Sequence, residues 1–457
     1  MSPRRRAQRF LTPSERTLRK FASGLPIGAD VNDSVFLGRQ PLIGRNEQTA
    51  AYLLFVADGI GDANPFGDRD LACRRLLAAI AAANLEELIA GKDSWIPVTV
   101  DVLGHGLHNA LPPKRTILAL APSELAKAGA PELVERTRRM GFRVALDLSG
   151  ERAEDDASAD PFAVLASVGI ADVDAFSVRF SSRHANNFHA SGLEASRRGM
   201  LSVAVGVDSS DHGGSARGDF DLRAGAFFLQ PVAHGLGGSV DRLAALQLLA
   251  ELEKPNSSFE DVERVITRDP SLVLRMLSLV NSGMFSLPKR IDTTRSALVM
   301  LGLRNVRQLA LAVTLNSVTS VPAELTLTSL IRARQCEHVA AALGVRPEPA
   351  FTVGLLSLVG AFAGMSTEDA LASLPLTSEV INAITRQTGL LGEVLDAVLC
   401  CEENRLSTAC HIVDAISPAG TGPAANIAML ASTWINAVKW AERLRSDVGD
   451  FAAPLRR

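Results

Sequence analysis

The residues of this 457-residue chain that could do chemistry are scattered rather than gathered. His105 and His108 lie three apart beside Asp101, the spacing of part of a metal-ligand set. Their setting, Gly104-His105-Gly106-Leu107-His108-Asn109, reads instead as a surface turn. Beyond residue 240 the histidines are His338 and His411, each inside an apolar helical pattern and neither followed by Asp, so no hydrolytic metal centre is expected there. The five cysteines, Cys73, Cys336, Cys400, Cys401 and Cys410, are odd in number and have no C-x-x-C spacing. They suggest reduced thiols in a cytoplasm rather than a disulfide framework or a zinc site. There is no Gly-x-Ser-x-Gly elbow, no phosphate-binding loop ending in Gly-Lys-Ser/Thr, and no G-x-G-x-x-G after a strand; Gly213-Gly214-Ser215 is a loop.

The elements that would have to position any site divide the chain in two. From Val35 to Pro231, short β-branched runs alternate with helical patterns or turns. The runs are Val35 to Pro41, Ala50 to Val56, Trp95 to Leu103, Thr116 to Leu120, Phe142 to Leu148, Ala175 to Phe180, Leu201 to Val207 and Gly225 to Leu229. Eight strands in such alternation predict a parallel α/β barrel or a doubly wound sheet. The composition changes at His234-Gly235-Leu236-Gly237-Gly238-Ser239, and almost everything beyond has helical period. Ser257-Ser258-Phe259-Glu260 and Ser366-Thr367-Glu368-Asp369 have capping-box spacing. The expected organisation is a basic tail over 1–33, a barrel over 34–233, a Gly-rich link over 234–240, an all-helical domain over 241–445 and a tail over 446–457.

Composition narrows the partners. A net charge of -3 and 21% charged residues provide no whole-protein field for nucleic acid or anionic membranes. The Arg-rich start, Arg4 to Lys20 against Glu15, reads as a solvated tail, and no signal-peptide core follows it. The uncharged stretches 349–367 and 415–438 are broken by Gly or Pro and read as buried helices, not membrane spans.

The order of short motifs resembles an EAL domain, the barrel of cyclic-di-GMP phosphodiesterases, followed by an HDOD domain, a helical relative of HD hydrolases. The barrel motifs are Gly38-Arg39-Gln40-Pro41, Tyr52-Leu53-Leu54-Phe55, Gly141 to Asp147 and Gly225 to Pro231. The helical ones are Asp269-Pro270-Ser271-Leu272, Val280-Asn281-Ser282, Ala297 to Gly302, Arg332 to Glu337 and Gly354-Leu355-Leu356-Ser357. The resemblance implies a TIM-like, EAL-type α/β barrel before an all-α HDOD domain. It also implies where metal ligands and a Lys would stand in a working phosphodiesterase. The Glu of the name motif falls at Tyr52 or Leu53, the third-strand Asn at Pro97 and the fourth-strand Glu at Ala119. The paired acids of the fifth strand appear as Asp147-Leu148, the Lys as Ser177, the seventh-strand acids as Val205 and Asp208, and a Gln as Ala224. Asp147 and Asp208 alone remain, too few for two magnesium ions.

The expectation is therefore a cytoplasmic, non-catalytic regulatory protein with no metal or other cofactor. It would act through protein partners in bacterial signal transduction, such as motility, pilus or biofilm control. A vestigial binding pocket would use Arg39, Asp147 and Asp208, with Arg143 as a further cation. The alternatives are a cyclic-dinucleotide receptor that binds without hydrolysis, a residual phosphodiesterase, and a nucleic-acid binder using the basic tail.

Overall fold

A computed structural model describes residues 35–57, 69–149, 161–180, 194–209, 216–230, 258–267, 273–281, 291–316, 322–417 and 422–449, apart from a few positions within these spans. The Arg-rich start, the Gly-rich link, Gly213 to Ser215 and the Asp269-Pro270-Ser271-Leu272 motif lie outside the described residues.

The N-terminal half begins with β1 (Phe36–Gly44) and β2 (Thr49–Ala57), then α1 (Arg69–Ala83), α2 (Leu85–Ile89), β3 (Asp93–Pro97) and α3 (Val100–Gly104). It continues with β4 (Thr116–Leu120), α4 (Pro122–Leu125), α5 (Ala130–Arg139), β5 (Arg143–Leu148), α6 (Pro161–Ser167), β6 (Ala175–Arg179), β7 (Leu201–Val205) and β8 (Leu222–Ala224). The eight strands close into a barrel in sequence order. The expected eight-stranded barrel is present, with one departure from an all-parallel ring: β1 runs antiparallel to both β2 and β8.

Two strand expectations are corrected. The run Trp95 to Leu103 is a strand only to Pro97, because the Thr99 hydroxyl accepts from the Val102 N–H and starts α3. The eighth strand is Leu222–Ala224, not Gly225 to Leu229, of which 227–229 form a single 3-10 turn. Gly225 has φ of 151°, and a Cβ there would sit 2.1 Å from the Val207 carbonyl oxygen, so glycine is required where the strand ends. The histidine turn is also half corrected. His105 is exposed at the end of α3, but His108 is buried edge-on against Phe142, with its pKa lowered by burial.

The C-terminal half is helical as expected. It comprises α7 (Phe259–Thr267), α8 (Thr294–Asn316), α9 (Ala323–Ala342), α10 (Pro347–Leu356), α11 (Val359–Ala363), α12 (Thr367–Ala372), α13 (Ser378–Arg386), α14 (Gly389–Glu402), α15 (Leu406–Ile416) and α16 (Pro423–Gly449). The second capping signal forms as read, with Ser366 accepting the Asp369 N–H; the first is shifted by one residue, because Ser258 rather than Ser257 accepts the N–H three residues on, from Asp261. No helix among the described residues is long and apolar enough to cross a membrane.

Helices α9 and α10 cross closely because Gly354 has no side chain. A Cβ there would lie 2.7 Å from Ala333 Cα and from the Arg332 carbonyl oxygen. Gly354→Ala is expected to force the pair apart at a cost of about 2 kcal/mol, overpacking outweighing the better helix propensity of Ala. Urea unfolding of the variant measures this; an unchanged or raised midpoint would show that the crossing can relax.

Candidate functional site

The parallel strands point their C-terminal ends at one mouth of the barrel, the end at which such folds place their chemistry. Behind that mouth the interior is apolar. Leu42, Ala51, Trp95, Ile117, Ala119, Ala145, Ala175, Val203, Leu222 and Ala224 form one apolar cluster, with Leu53, Leu201 and Val205 packed against it. Strand alternation sends the two candidates for the motif Glu position to opposite faces of β2. Ala51 and Leu53 face the interior, whereas Tyr52 faces outward and is fully buried against the helical domain. Four positions at which the resemblance implies ligands or a Gln, Leu53, Ala119, Val205 and Ala224, are thus side chains of this one cluster. Pro97 pairs in register with Ala119 beside it.

Asp147 is held at the end of β5 by three donors, all to Oδ1: the Ser149 N–H at 3.0 Å, the Ser149 hydroxyl at 2.6 Å and the Ser177 hydroxyl at 2.7 Å. Ser177, where the resemblance implies a Lys, spends its hydroxyl on this carboxylate. Asp208 is exposed after β7, and its side chain accepts the Ala226 N–H at 3.4 Å. Its main-chain oxygen accepts from Gln230 Nε2 at 2.8 Å. Among the described residues, no three His, Cys, Asp or Glu side chains stand close enough to hold a metal. His338 and His411 are on separate helices, half-buried and exposed.

The helical domain roofs the mouth, and between them lies a cavity of about 600 Å³. Gly38, Gln40, Phe55, Asp208 and Ala226 line it from the barrel; Glu324, Arg332, Glu402, Asn404 and Trp434 line it from the helices. Of the three residues expected in one pocket, Arg39 and Asp208 share this cavity, and Asp147 is not among its walls. Arg143 is displaced further. It begins β5, at the strand end away from the mouth, and pairs with Asp93 at 2.7 Å.

Arg39 lies on the outward face of β1 and joins the two domains. Its Nη1 meets Glu442 of α16 at 2.8 Å and donates to the Leu88 carbonyl oxygen, while its guanidinium stacks 4.2 Å over the Tyr52 ring. The Tyr52 hydroxyl, from the chain's one tyrosine, lies 3.1 Å from Glu324 Oε2 and 3.4 Å from Glu442 Oε1. Thr49 donates to Glu324 at 2.7 Å, and Arg445 also pairs with Glu442 at 2.6 Å. Two carboxylates, two guanidiniums and a phenol thus close a buried clasp between β1, β2, α9 and α16.

Burial pushes the Glu324 carboxyl above its ordinary value of 4.5, against the pull of Arg39 and the Thr49 hydrogen bond. A carboxyl whose folded pKa is raised binds its proton more tightly when folded. Its proton-linked stability is complete below pH 4.5 and is lost as pH rises through the raised value. Glu324→Gln keeps a carbonyl acceptor for Thr49 and Tyr52 without the buried charge. Thermal unfolding of the variant relative to the parent should therefore improve as pH rises above 4.5 and level off once pH passes the raised value. Parallel profiles would contradict the raised pKa.

Glu324, Glu442, Asn404 and the Arg332–Glu402 pair, the last joined at 2.6 and 3.0 Å, are site residues the sequence reading missed. A signal for Glu442 existed, since it falls on the apolar stripe of Leu430, Trp434, Ala437, Val438 and Ala441, where an acid must find a partner.

Comparison with known proteins identifies the helical half. Residues 243–398 match the HDOD domain family. Two full-length relatives are similar at low identity. The chain is 24% identical over 384 residues to the uncharacterized protein YuxH of Bacillus subtilis, covering 82% of this chain and 92% of that one. It is 27% identical over 383 residues to the cyclic di-GMP phosphodiesterase CdgJ of Vibrio cholerae, covering 82% and 86%. Among solved structures, an EAL domain protein of Listeria monocytogenes is similar at 14% identity and a TM-score of 0.34, over 47% of this chain and 90% of that one. The architecture is a closed eight-stranded barrel followed by a helical region that matches the HDOD family over residues 243–398. The barrel's resemblance to EAL domains rests on its sequence motifs on β1, β2 and β5 and on Gly225 to Pro231, which follow β8.

Proposed function

We propose that this protein is a non-catalytic regulator in cyclic-di-GMP-related signalling, working through surfaces that its barrel and HDOD domain present to protein partners. The observation that carries this reading is the apolar packing of Leu53, Ala119, Val205 and Ala224 inside the barrel. A divalent metal needs several oxygen ligands and a supporting shell, and methyl groups provide neither. The similarity to a protein named a cyclic di-GMP phosphodiesterase supports the pathway. The residues of this barrel argue against the reaction.

The receptor reading is weaker for an electrostatic reason. A cyclic dinucleotide carries two phosphates, and the two cations lining the cavity among its described residues are already committed, Arg39 to Glu442 and Arg332 to Glu402. Freeing either would leave a buried carboxylate unpaired. Equilibrium titration of the full chain with cyclic-di-GMP, with and without magnesium, is expected to show no saturable binding at micromolar ligand. Tight binding in either condition would replace the adaptor reading with the receptor.

A further inference from the structure

The joint between barrel and helical domain is built around an acid that has no cation of its own. Glu324 of α9 is 5% exposed, and its carboxyl meets two hydroxyl groups of β2, Thr49 at 2.7 Å and Tyr52 at 3.1 Å. No ion pair joins it to Lys, Arg or His among the described residues. The two guanidiniums of the clasp, Arg39 of β1 and Arg445 of α16, both pair with Glu442, at 2.8 and 2.6 Å. The charges on either side are closed among themselves, Lys439 with Glu87 at 2.8 Å across the same joint and Arg332 with Glu402 at 2.6 Å within the helices.

Protons are short in this cluster. The Tyr52 hydroxyl stands between two carboxyls, 3.1 Å from Glu324 Oε2 and 3.4 Å from Glu442 Oε1, and has one proton to donate. With both acids ionised, one of them faces the lone pairs of the phenol, and Glu324 is a buried charge supported by hydroxyls alone. With a proton on Glu324 every contact has a donor. Glu324 donates to the phenol oxygen, the phenol donates to Glu442, Thr49 donates to Glu324, and the two guanidiniums balance Glu442. Burial pushes the Glu324 carboxyl in the same direction, above 4.5.

We propose that this joint is a proton-operated latch: Glu324 holds a proton while α9 and α16 are seated on β1 and β2, and releases it to solvent when they part. The proton balance sets the direction. In water the parted carboxyl ionises at its ordinary value, so each unit of pH between 4.5 and the raised value favours the parted state about tenfold. Acid seats the helices on the barrel, and rising pH loosens them. The latch works on the joint whatever the barrel binds, so it stands or falls apart from the regulatory reading.

A native indole reports on the joint, because Trp434 of α16 is 8% exposed and packs on Phe36 of β1 with ring centroids 5.8 Å apart. Acrylamide quenching of the full chain from about pH 5 to about pH 9 tests the latch, with a Trp434→Phe variant subtracted to isolate that indole. The quenching constant is expected to rise about twofold or more with pH while far-UV circular dichroism stays unchanged, so that parting and not unfolding is read. In Glu324→Gln, whose amide keeps a donor for the phenol and an acceptor for Thr49, it should stay at the low value throughout. Infrared difference spectra of the parent need no variant: the carboxylic acid C=O band should fade along the same pH curve. A parent constant that is flat or falls with pH, a rise that persists in folded Glu324→Gln, or no carboxylic acid band to lose would each overturn the proposal.

Discussion

Arg39→Met is expected to lower the stability of the joined domains by about 3 kcal/mol, the low end for breaking a buried pair by removing one partner. Methionine fills much of the volume beside Tyr52 but offers no charge to Glu442 and no donor to the Leu88 carbonyl oxygen. Glu442 keeps Arg445 at 2.6 Å, which holds the loss to the low end of that range. Tyr52 then lies against two carboxylates with one proton to give and no cation stacked on its ring. Thermal and urea unfolding measure the loss, and adding Glu442→Gln to the variant should recover part of it, because the stranded charge is gone. A loss below about 1 kcal/mol would show that the clasp does not hold the domains together.

Ala119→Glu is the second large effect. Ala119 is 2% exposed in the middle of the barrel's apolar cluster, with Pro97 as its register neighbour on β3 and Ala145 on β5. A carboxylate placed there has no partner among these side chains, so the loss should reach about 4 kcal/mol from the unpaired buried charge, with overpacking added to it. Magnesium or manganese should not restore the midpoint. An interior that still formed a metal site would behave oppositely: the new acid would be tolerated, and divalent ions would raise the midpoint.

Strand positions on the barrel were legible because β-branched, apolar runs bounded by turns have few other readings. Thr116 to Leu120 is a strand over the span its sequence suggests. The failures are local competitions. The Thr99 cap turned an apolar run into a helix start, and the backbone at Gly225 ended β8 before the Phe227-Phe228-Leu229 run. The antiparallel entry of β1 follows locally, because the four residues between β1 and β2 are too few for a parallel crossover; only the closure of β1 with β8, between residues nearly two hundred apart, has no local pattern.

The site was legible to a different depth. That Asp147 and Asp208 alone remain at the implied ligand positions, with Arg39 beside them in the motif of β1, could be read from the sequence. That Asp147 is tied to Ser149 and Ser177, and that Arg39 turns to the other domain, could not. That Tyr52 faces the helical domain and Leu53 the interior needed the face of β2, since a one-residue slip exchanges interior and exterior. The carboxylate partners of Tyr52 and Arg39, Glu324 and Glu442, lie more than 270 residues away, beyond the reach of motif or period.

The claim that the barrel has lost catalysis is tested most directly by incubating the purified full chain with cyclic-di-GMP in magnesium and in manganese and separating the products by chromatography. The sealed interior predicts no linear dinucleotide above the protein-free control at any pH between about 6 and 9. Formation of that product in proportion to protein concentration, and its loss on chelation of the metal, would contradict the account.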